Sequence, residues 1–305
     1  MSDTKPISDP VGAKKPSKDY PWWLENIDHK ITSEVSVSLQ TCIWNPSAHT
    51  TQVRQLLESY SGVPHKDVRN HIYTIREKAW NIRPYPCTGI GAFLEPSIHK
   101  QPSYSDIIAR LQAGCKLLDI GCFMGQDLRR LVLDGAPQAS LIGNDIMNHW
   151  DLGYEFFKDK DKFDVPYIES DLLFPTDKLK RLHGQIDVIS IVHVLHQWDW
   201  DTQVLACKEL VKLSKPGSLV VGFQGGTSDY AKRAQSNREA GQAEFVLHDA
   251  ETFERMWNIV SDQTNTEWKT EAVVLPLSEL EYREEEVAYL GSDFAFVRFA
   301  VARIR

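Results

Sequence analysis

Long apolar runs, a hydrophobic leader and paired cysteines are all missing from this chain of 305 residues. The sequence contains no run of 18 apolar residues, so it predicts no membrane span. Residues 1–18 are polar and have no apolar h-region, which predicts a mobile tail and a cytoplasmic protein. The five cysteines are widely spaced without a C-x-x-C pair. We therefore expect free thiols, with neither a disulfide framework nor a bound metal.

An excess of basic residues is missing as well. The chain has 34 Lys and Arg against 42 Asp and Glu, for a net charge of −8. Nucleic-acid binding requires clustered Lys and Arg, so the sequence predicts no nucleic-acid partner. The contents of 42% hydrophobic and 25% charged residues are those of a globular protein.

Apolar segments alternate with helical segments from residue 103 to the end of the chain. The predicted strands are 116–121, 140–145, 165–171, 185–193, 218–223, 268–277 and 293–304. Such alternation is typical of βαβ units with a parallel sheet covered on both faces. Only a short acidic segment separates the last two strands. We therefore predict an α/β fold with a seven-stranded, mostly parallel, Rossmann-like sheet whose last strand is antiparallel.

The region before this core, residues 19–102, is predicted to be helical, with helices at 54–61 and 65–82. The core itself is assigned to residues 103–305. Nineteen consecutive positions, from Val35 to Val53, carry no Asp, Glu, Lys or Arg. Residues 35–52 fit neither helix nor strand. They are either an insertion, such as a translated intron, or an ordinary surface loop.

Acidic residues end three successive predicted strands, at Asp119, Asp145 and Asp171. Two histidines, His193 and His196, follow the fourth. Ligands of open α/β sheets bind at the carboxyl ends of the strands, so these side chains should share one rim. The pattern predicts a ligand site there.

Two adenosine cofactors suit such a rim. A nicotinamide dinucleotide needs G-x-G-x-x-G for close approach of its pyrophosphate, but Phe123 occupies the second glycine position. Asp119 would also repel phosphates. S-adenosylmethionine has no phosphate and carries an ammonium and a sulfonium group, so acids favour it. We expect Asp145 to accept from the ribose hydroxyls and Asp171 from the adenine amino group, with the Leu172 amide donating to a ring nitrogen.

Residues 116–225 resemble the core of class I S-adenosylmethionine-dependent methyltransferases. The first motif of that family is acid-x-Gly-x-Gly-x-Gly. Asp119, Gly121 and Gly125 match it, and Phe123 departs from it. The departure affects the path of the loop.

A closer resemblance covers most of the chain. The segments SKDYPWWLENIDHKIT, IREKAWNIRPYPC, LLDIGCFMGQDLRRL and VHVLHQWDWDTQ resemble methyltransferases of fungal secondary-metabolite clusters that methylate a carboxyl group in meroterpenoid pathways. This implies S-adenosylmethionine as cofactor, an apolar carboxylic acid as acceptor and a methyl ester as product. The cofactor-binding residues so implied are Asp119, Gly121, Cys122, Gly125, Asp145, Ile146, Asp171, Leu172, His193 and Tyr20.

A carboxylate acceptor is already ionised and needs no strong general base, whereas a phenol would benefit from one. His193 and His196 are the predicted catalytic residues, which orient or deprotonate the acceptor. Alternatively, they stabilise the strand end. Trp198 and Trp200 either wall the acceptor pocket or pack in the core.

Aromatic residues of the N-terminal region are suited to a lid over an apolar acceptor pocket. They are Tyr20, Trp22, Trp23, Trp80, Tyr85 and Phe93. Phenol or carbon methylation and a non-catalytic cofactor-binding regulator stay open as alternatives. The sequence also leaves open whether the chain forms a homodimer.

Overall fold

A single sheet of seven strands organises the computed structural model, which describes residues 16–32, 52–240 and 246–305. The strand order is β3-β2-β1-β4-β5-β7-β6. Strands β1 to β5 are parallel, and β7 is antiparallel to both β5 and β6. The prediction of a seven-stranded sheet with an antiparallel last strand is confirmed. The strands are β1 (Leu117–Ile120), β2 (Leu141–Asp145), β3 (Tyr167–Glu169), β4 (Ile186–Ile191), β5 (Ser214–Thr227), β6 (Trp268–Leu275) and β7 (Phe294–Arg303).

Helices cover both faces of this sheet and form a separate layer before it. In chain order they are α1 (Asp28–Thr32), α2 (Gln52–Arg54), α3 (Val68–Ile82), α4 (Pro86–Gly89), α5 (Tyr104–Gln112), α6 (Gln126–Leu133), α7 (Trp150–Phe157), α8 (Asp177–Lys180), α9 (Trp200–Leu213), α10 (Tyr230–Ala240), α11 (Ala250–Thr264) and α12 (Glu284–Val287). A π-helix, Gln55–Tyr60, follows α2 directly.

The central strands are buried on both faces, which explains their nearly continuous apolar sequences. One face packs on α9 and α11, through residues such as Leu210 and Trp257. The other face packs on α5, α6 and Trp150 of α7. Exposed and half-buried residues alternate along the edge strand β6. Because β1 to β4 run parallel, their carboxyl ends lie at one rim of the sheet.

The N-terminal layer packs on the rim side of the sheet rather than standing apart from it. Ile72 and Ile75 of α3 share an apolar cluster with Phe123 and with Phe156 of α7. The guanidinium of Arg76 is buried and donates to the backbone carbonyls of Leu24, Thr88 and Gly89. Arg76 thereby joins the end of α4 to the segment before α1.

The two halves of the chain also meet through a buried ion pair. Lys30 Nζ lies 3.0 Å from Glu286 Oε2, and His29 Nε2 lies 2.6 Å from Glu286 Oε1. The side chains of Lys30 and Glu286 are 3% and 1% exposed. A ring contact lies nearby, with centroids of Trp22 and Tyr289 5.6 Å apart. Residues before α2 are thus joined to the segment between β6 and β7.

Several predicted boundaries differ from the observed ones. The predicted helix 54–61 is largely π-helical, and the predicted strand 218–223 extends over Ser214–Thr227. Helix α10 was not predicted, because its sequence YAKRAQSNREA has no apolar stripe. The proposed insertion at 35–52 falls almost wholly on residues 33–51, which lie outside the described residues, and so does the tail as far as residue 15.

Cys87, Cys115, Cys122 and Cys207 are free thiols, while Cys42 lies outside the described ranges. Among the helices that the structure describes, none combines the length and apolar character needed to cross a bilayer.

Candidate active site

A cavity opens at the carboxyl ends of β1 to β4, where the N-terminal layer roofs the sheet. The strand ends and the segments that follow them contribute Asp119, Ile120, Gly121, Cys122, Phe123, Gln126, Asp127, Asn144, Asp145, Ile146, Ser170, Asp171, Leu172, Leu173, Val192, His193, Val194, Gln197 and Trp198. The roof contributes Arg83, Tyr85, Cys87, Ala92, Phe93, Glu95 and Ser97. The three predicted strand-end acids therefore do share one rim.

Two glycines make the loop after β1 possible. Gly121 and Gly125 both have a φ of +74°, in the left-handed region that glycine adopts without strain. A Cβ on Gly121 would lie 2.3 Å from Val194 Cγ2, and one on Gly125 would lie 2.8 Å from the Trp150 ring. The amides of Gly121 and Cys122 both donate to the Asn144 carbonyl. The loop is thereby held against the end of β2.

Phe123, which departs from the family motif, keeps the loop in a left-handed turn at a φ of 51°. Its ring lies between the core and the N-terminal layer, with its centroid 4.4 Å from the His149 ring before α7 and 6.1 Å from the Phe93 ring of the N-terminal layer. Its amide donates to Asp145 Oδ2 at 2.8 Å. The aromatic side chain therefore ties the cofactor loop to the roof.

Asp145 is held by backbone amides on both of its oxygens. Phe123 N donates to Oδ2, and Met147 N donates to Oδ1 at 3.0 Å. Burial raises the pKa of Asp145 to about 6, although these amides favour the charged form. Each oxygen keeps a second lone pair. A carboxylate fixed in this way can accept two further hydrogen bonds from a vicinal diol.

Two further acids, Asp119 in β1 and Asp127 at the start of α6, lie close to each other. Asp119 is 3% exposed, and burial together with the neighbouring Asp127 raises its pKa well above the usual value. Asp127 Oδ1 accepts from the amides of Ser97 and Ile98 at 2.6 and 2.9 Å. Burial raises the pKa of Asp127 to about 6. Asp127 thus anchors the roof, a role that sequence reasoning missed.

The third strand end supplies a mixed polar and apolar wall. Asp171 Oδ1 accepts from the Leu173 amide at 2.8 Å, which orders the turn after β3. Leu172 is 5% exposed, whereas Ile146 at the end of β2 is 46% exposed. This wall therefore presents the acid Asp171 and the apolar side chains of Leu172 and Ile146, an arrangement that suits a flat aromatic group.

The structure brings His193 to the cavity but does not place His196 among the lining residues. The His193 amide donates to the Phe223 carbonyl at 2.7 Å, and burial lowers the pKa of its ring to about 4. His196 Nδ1 accepts from the Gly225 amide at 3.3 Å. Burial lowers the pKa of His196 to about 3. His196 therefore has the position of a neutral structural histidine against β5.

The predicted lid residues divide into two groups. Tyr85 and Phe93 line the cavity. Tyr20 instead stacks on Trp22, with centroids 4.8 Å apart, and lies edge-on to Trp80. Tyr20 is not among the described lining residues of the cavity, and its predicted contact with the cofactor stays a prediction. Trp198 lines the cavity, while Trp200 packs on His248 at 5.1 Å.

The charges of the cavity select its ligand. Among the described lining residues, five are acids and Arg83 is the single cation. The amide of Phe123, which a dinucleotide would need for its pyrophosphate, already serves Asp145. A phosphate-bearing cofactor is therefore disfavoured. The residues fit S-adenosylmethionine, whose charged groups near the reacting carbon are cationic.

The sheet with its reversed β7 and the acidic cavity at the β1 loop define a class I methyltransferase fold. A family model described as meroterpenoid methyltransferase N-terminal domain matches residues 43–94. The O-methyltransferase phiE of Fungal sp. (strain ATCC 74256) is 37% identical over 251 residues, which cover 81% of this chain and 81% of that protein. This chain belongs to that family of fungal methyltransferases of secondary metabolism.

Two further relatives share a shorter part of the chain. The O-methyltransferase atr3 of Stereocaulon alpinum is 39% identical over 72% of this chain and 64% of its own length. The Asnovolin E/Chermesin D methyltransferase nvfJ of Aspergillus novofumigatus is 38% identical over 55% of this chain and 62% of its own length. The matched part thus spans a little under two thirds of these two proteins.

Proposed function

We propose that this protein transfers the methyl group of S-adenosylmethionine to a carboxylate oxygen of an apolar terpenoid-polyketide acid, forming a methyl ester. The observation that carries the proposal is the pairing of an acidic cofactor rim with apolar acceptor walls, on which His193 is a weak base. His193 is the one imidazole among the described lining residues, and its pKa is lowered to about 4.

In this proposal, the end of each of the strands β1 to β3 contacts a different part of the cofactor. Asp145 accepts from the two ribose hydroxyls with its free lone pairs. Ile146 and Leu172 pack on the faces of the adenine, and Asp171 accepts from its amino group. Asp119 lies on the side of the cationic groups, where a bound cation would favour its ionised form. When bound, S-adenosylmethionine supplies an electrophilic methyl group.

The acceptor side is apolar. Val192, Trp198 and Phe93 give the cavity hydrophobic walls, and Tyr85 adds a ring from the roof. Such walls suit a large apolar molecule, with few polar groups to fix its orientation. The relative nvfJ is named for asnovolin E and chermesin D, and phiE and atr3 are named O-methyltransferases. The names of phiE and atr3 support oxygen methylation, and the description of the matching family model supports a meroterpenoid acceptor.

The ionisation of the lining residues suits an acceptor that arrives already charged. A carboxylic acid has a pKa near 4–5 and is ionised at neutral pH. His193 is neutral there and can position the acceptor by a hydrogen bond without removing a proton. Burial raises the pKa of Cys87 to about 11, so this thiol is protonated and does not compete for the methyl group. The residues therefore orient the acceptor and exclude water.

The test is turnover of candidate fungal acids by the full chain, followed by intact mass and mild alkaline hydrolysis. We expect a product 14 Da heavier whose new methyl group is lost on hydrolysis. At saturating cofactor, kcat should be flat from about pH 6 to 9, because the acceptor is ionised throughout. His193→Ala should lower kcat about tenfold through lost positioning, or about 1.4 kcal/mol.

Three other outcomes of this experiment would each contradict one part of the proposed function. A rate that rises with pH across this window indicates a phenol acceptor. A methyl group that resists hydrolysis refutes the ester. Tight cofactor binding without turnover of any acid would support a non-catalytic binding protein.

A further inference from the structure

Two acceptor atoms in the cavity lack the partners that buried polar atoms ordinarily have. Glu95 Oε2 and Gln126 Oε1 are buried, and neither has a hydrogen-bond partner among the described residues. Both residues line the cavity. Buried polar groups without a partner are uncommon and call for a physical reason, such as a ligand.

The two side chains are held in the same neighbourhood by the backbone. Gln126 is the first residue of α6, directly before Asp127. Asp127 in turn receives the amides of Ser97 and Ile98, which follow Glu95 closely in the chain. The roof segment that carries Glu95 is therefore anchored at the start of α6, beside Asp119.

The lysines near Glu95 are engaged with other acids. Lys30 Nζ pairs with Glu286, and Lys100 Nζ pairs with Glu281 at 3.2 Å. Burial raises the pKa of Glu95 to about 7, and Glu281 adds to this effect. A cation that entered the cavity would favour the ionised form of Glu95 and would restore a partner for its free oxygen.

We infer that Glu95 and Gln126 form a subsite for the α-ammonium group of the cofactor's methionine moiety. This inference rests on the proposed cofactor. An ammonium presents three N–H donors. Glu95 Oε2 and Gln126 Oε1 accept two of them, and Asp119 contributes charge from the end of β1. The roof thereby takes part in recognising the amino-acid tail, while Asp145 and Asp171 recognise the nucleoside.

The experiment measures, by calorimetry on the full chain, the affinities for S-adenosylhomocysteine and for its analogue with hydrogen in place of the α-amino group. The wild-type protein should prefer S-adenosylhomocysteine by tenfold or more. Glu95→Gln should weaken its binding about tenfold and leave the analogue's binding nearly unchanged. Glu279→Gln, the same change at an exposed position two residues before Glu281, should alter neither affinity.

A preference that is undiminished in Glu95→Gln would overturn the inference. Equal wild-type affinities for the two ligands would also overturn it, while leaving the proposed cofactor intact. If the wild-type protein binds neither ligand, the proposed cofactor itself is wrong and the subsite falls with it. If Glu95→Gln fails to fold, Gln126→Ala provides the test. The preference of this variant for S-adenosylhomocysteine over the analogue should drop about threefold, and an unchanged preference refutes the subsite.

Discussion

Asp145 shows how one residue can hold both a loop and a ligand. Its oxygens receive amides from Phe123 on the neighbouring loop and from Met147 on its own turn. The carboxylate is therefore oriented before any ligand arrives, which lowers the cost of ordering it on binding. Burial of this carboxyl group raises its pKa to about 6, although the two amides favour the charged form.

Replacing this acid tests the nucleoside side of the site. Asp145→Asn removes the charge and places an N–H₂ group near amides that themselves donate. Affinity for S-adenosylhomocysteine should fall by about 1.5–3 kcal/mol, as calorimetry at neutral pH can measure. Asp164→Asn, the same change at an exposed position, should have no effect. Unchanged affinity in Asp145→Asn would remove Asp145 from the cofactor site.

The strand-end acids could be predicted from the sequence because topology alone brings them together. Parallel strands place their carboxyl ends at one rim, so Asp119, Asp145 and Asp171 needed no tertiary detail. Glu95 and Asp127 could not be identified in this way. Their positions depend on how an irregular Pro- and Gly-containing segment folds back over α6, and no periodic pattern records that path.

At the scale of elements, the loop after β1 and helix α3 contact each other through buried apolar side chains. The apolar spacing predicted a helix over residues 65–82, and the structure forms α3 at Val68–Ile82 after a 3-10 turn at His65–Asp67. The sequence did not show that its buried face meets Phe123 rather than the sheet itself. Since the ring of Phe123 lies against the N-terminal layer, the cofactor loop and the roof share one apolar cluster.

Shortening Phe123 should therefore destabilise more than the loop. Phe123→Ala removes a ring that is 7% exposed, with an expected loss of about 3 kcal/mol in the free energy of unfolding. Urea denaturation measures this loss. Phe174→Ala is a matched control, because Phe174 is 47% exposed and its loss should stay within about 0.5 kcal/mol. A loss below about 1 kcal/mol in Phe123→Ala would show that the ring does not couple the two layers.

On the scale of the whole molecule, the N-terminal region contacts the segment between β6 and β7. Lys30 lies before α2, and Glu286 lies between β6 and β7, yet the two form a buried ion pair. Sequence reasoning treated the N-terminal region as a lid on an independent core. Pairing between residues so far apart leaves no local pattern, so only the folded chain reveals it.

Breaking this pair on one side should be costly. Glu286→Gln leaves the buried ammonium of Lys30 without a counter-charge, with an expected loss of about 3–5 kcal/mol in unfolding free energy. Adding Lys30→Met should restore at least half of it, because no unpaired charge then remains. Glu77→Gln, in the exposed pair with Lys18, should cost under about 1 kcal/mol. If single and double variants are equally unstable, the ion pair is not the cause.

The Lys30–Glu286 pair also bears on how such enzymes can be recombined. A chimaera that takes the first hundred residues from one relative and the remainder from another separates Lys30 from its own Glu286. Unless the donor and recipient carry compatible residues at both positions, the hybrid inherits an uncompensated charge. We therefore expect a chimaera made to exchange acceptor preference to fold when the N-terminal layer and the segment between β6 and β7 both come from the same relative.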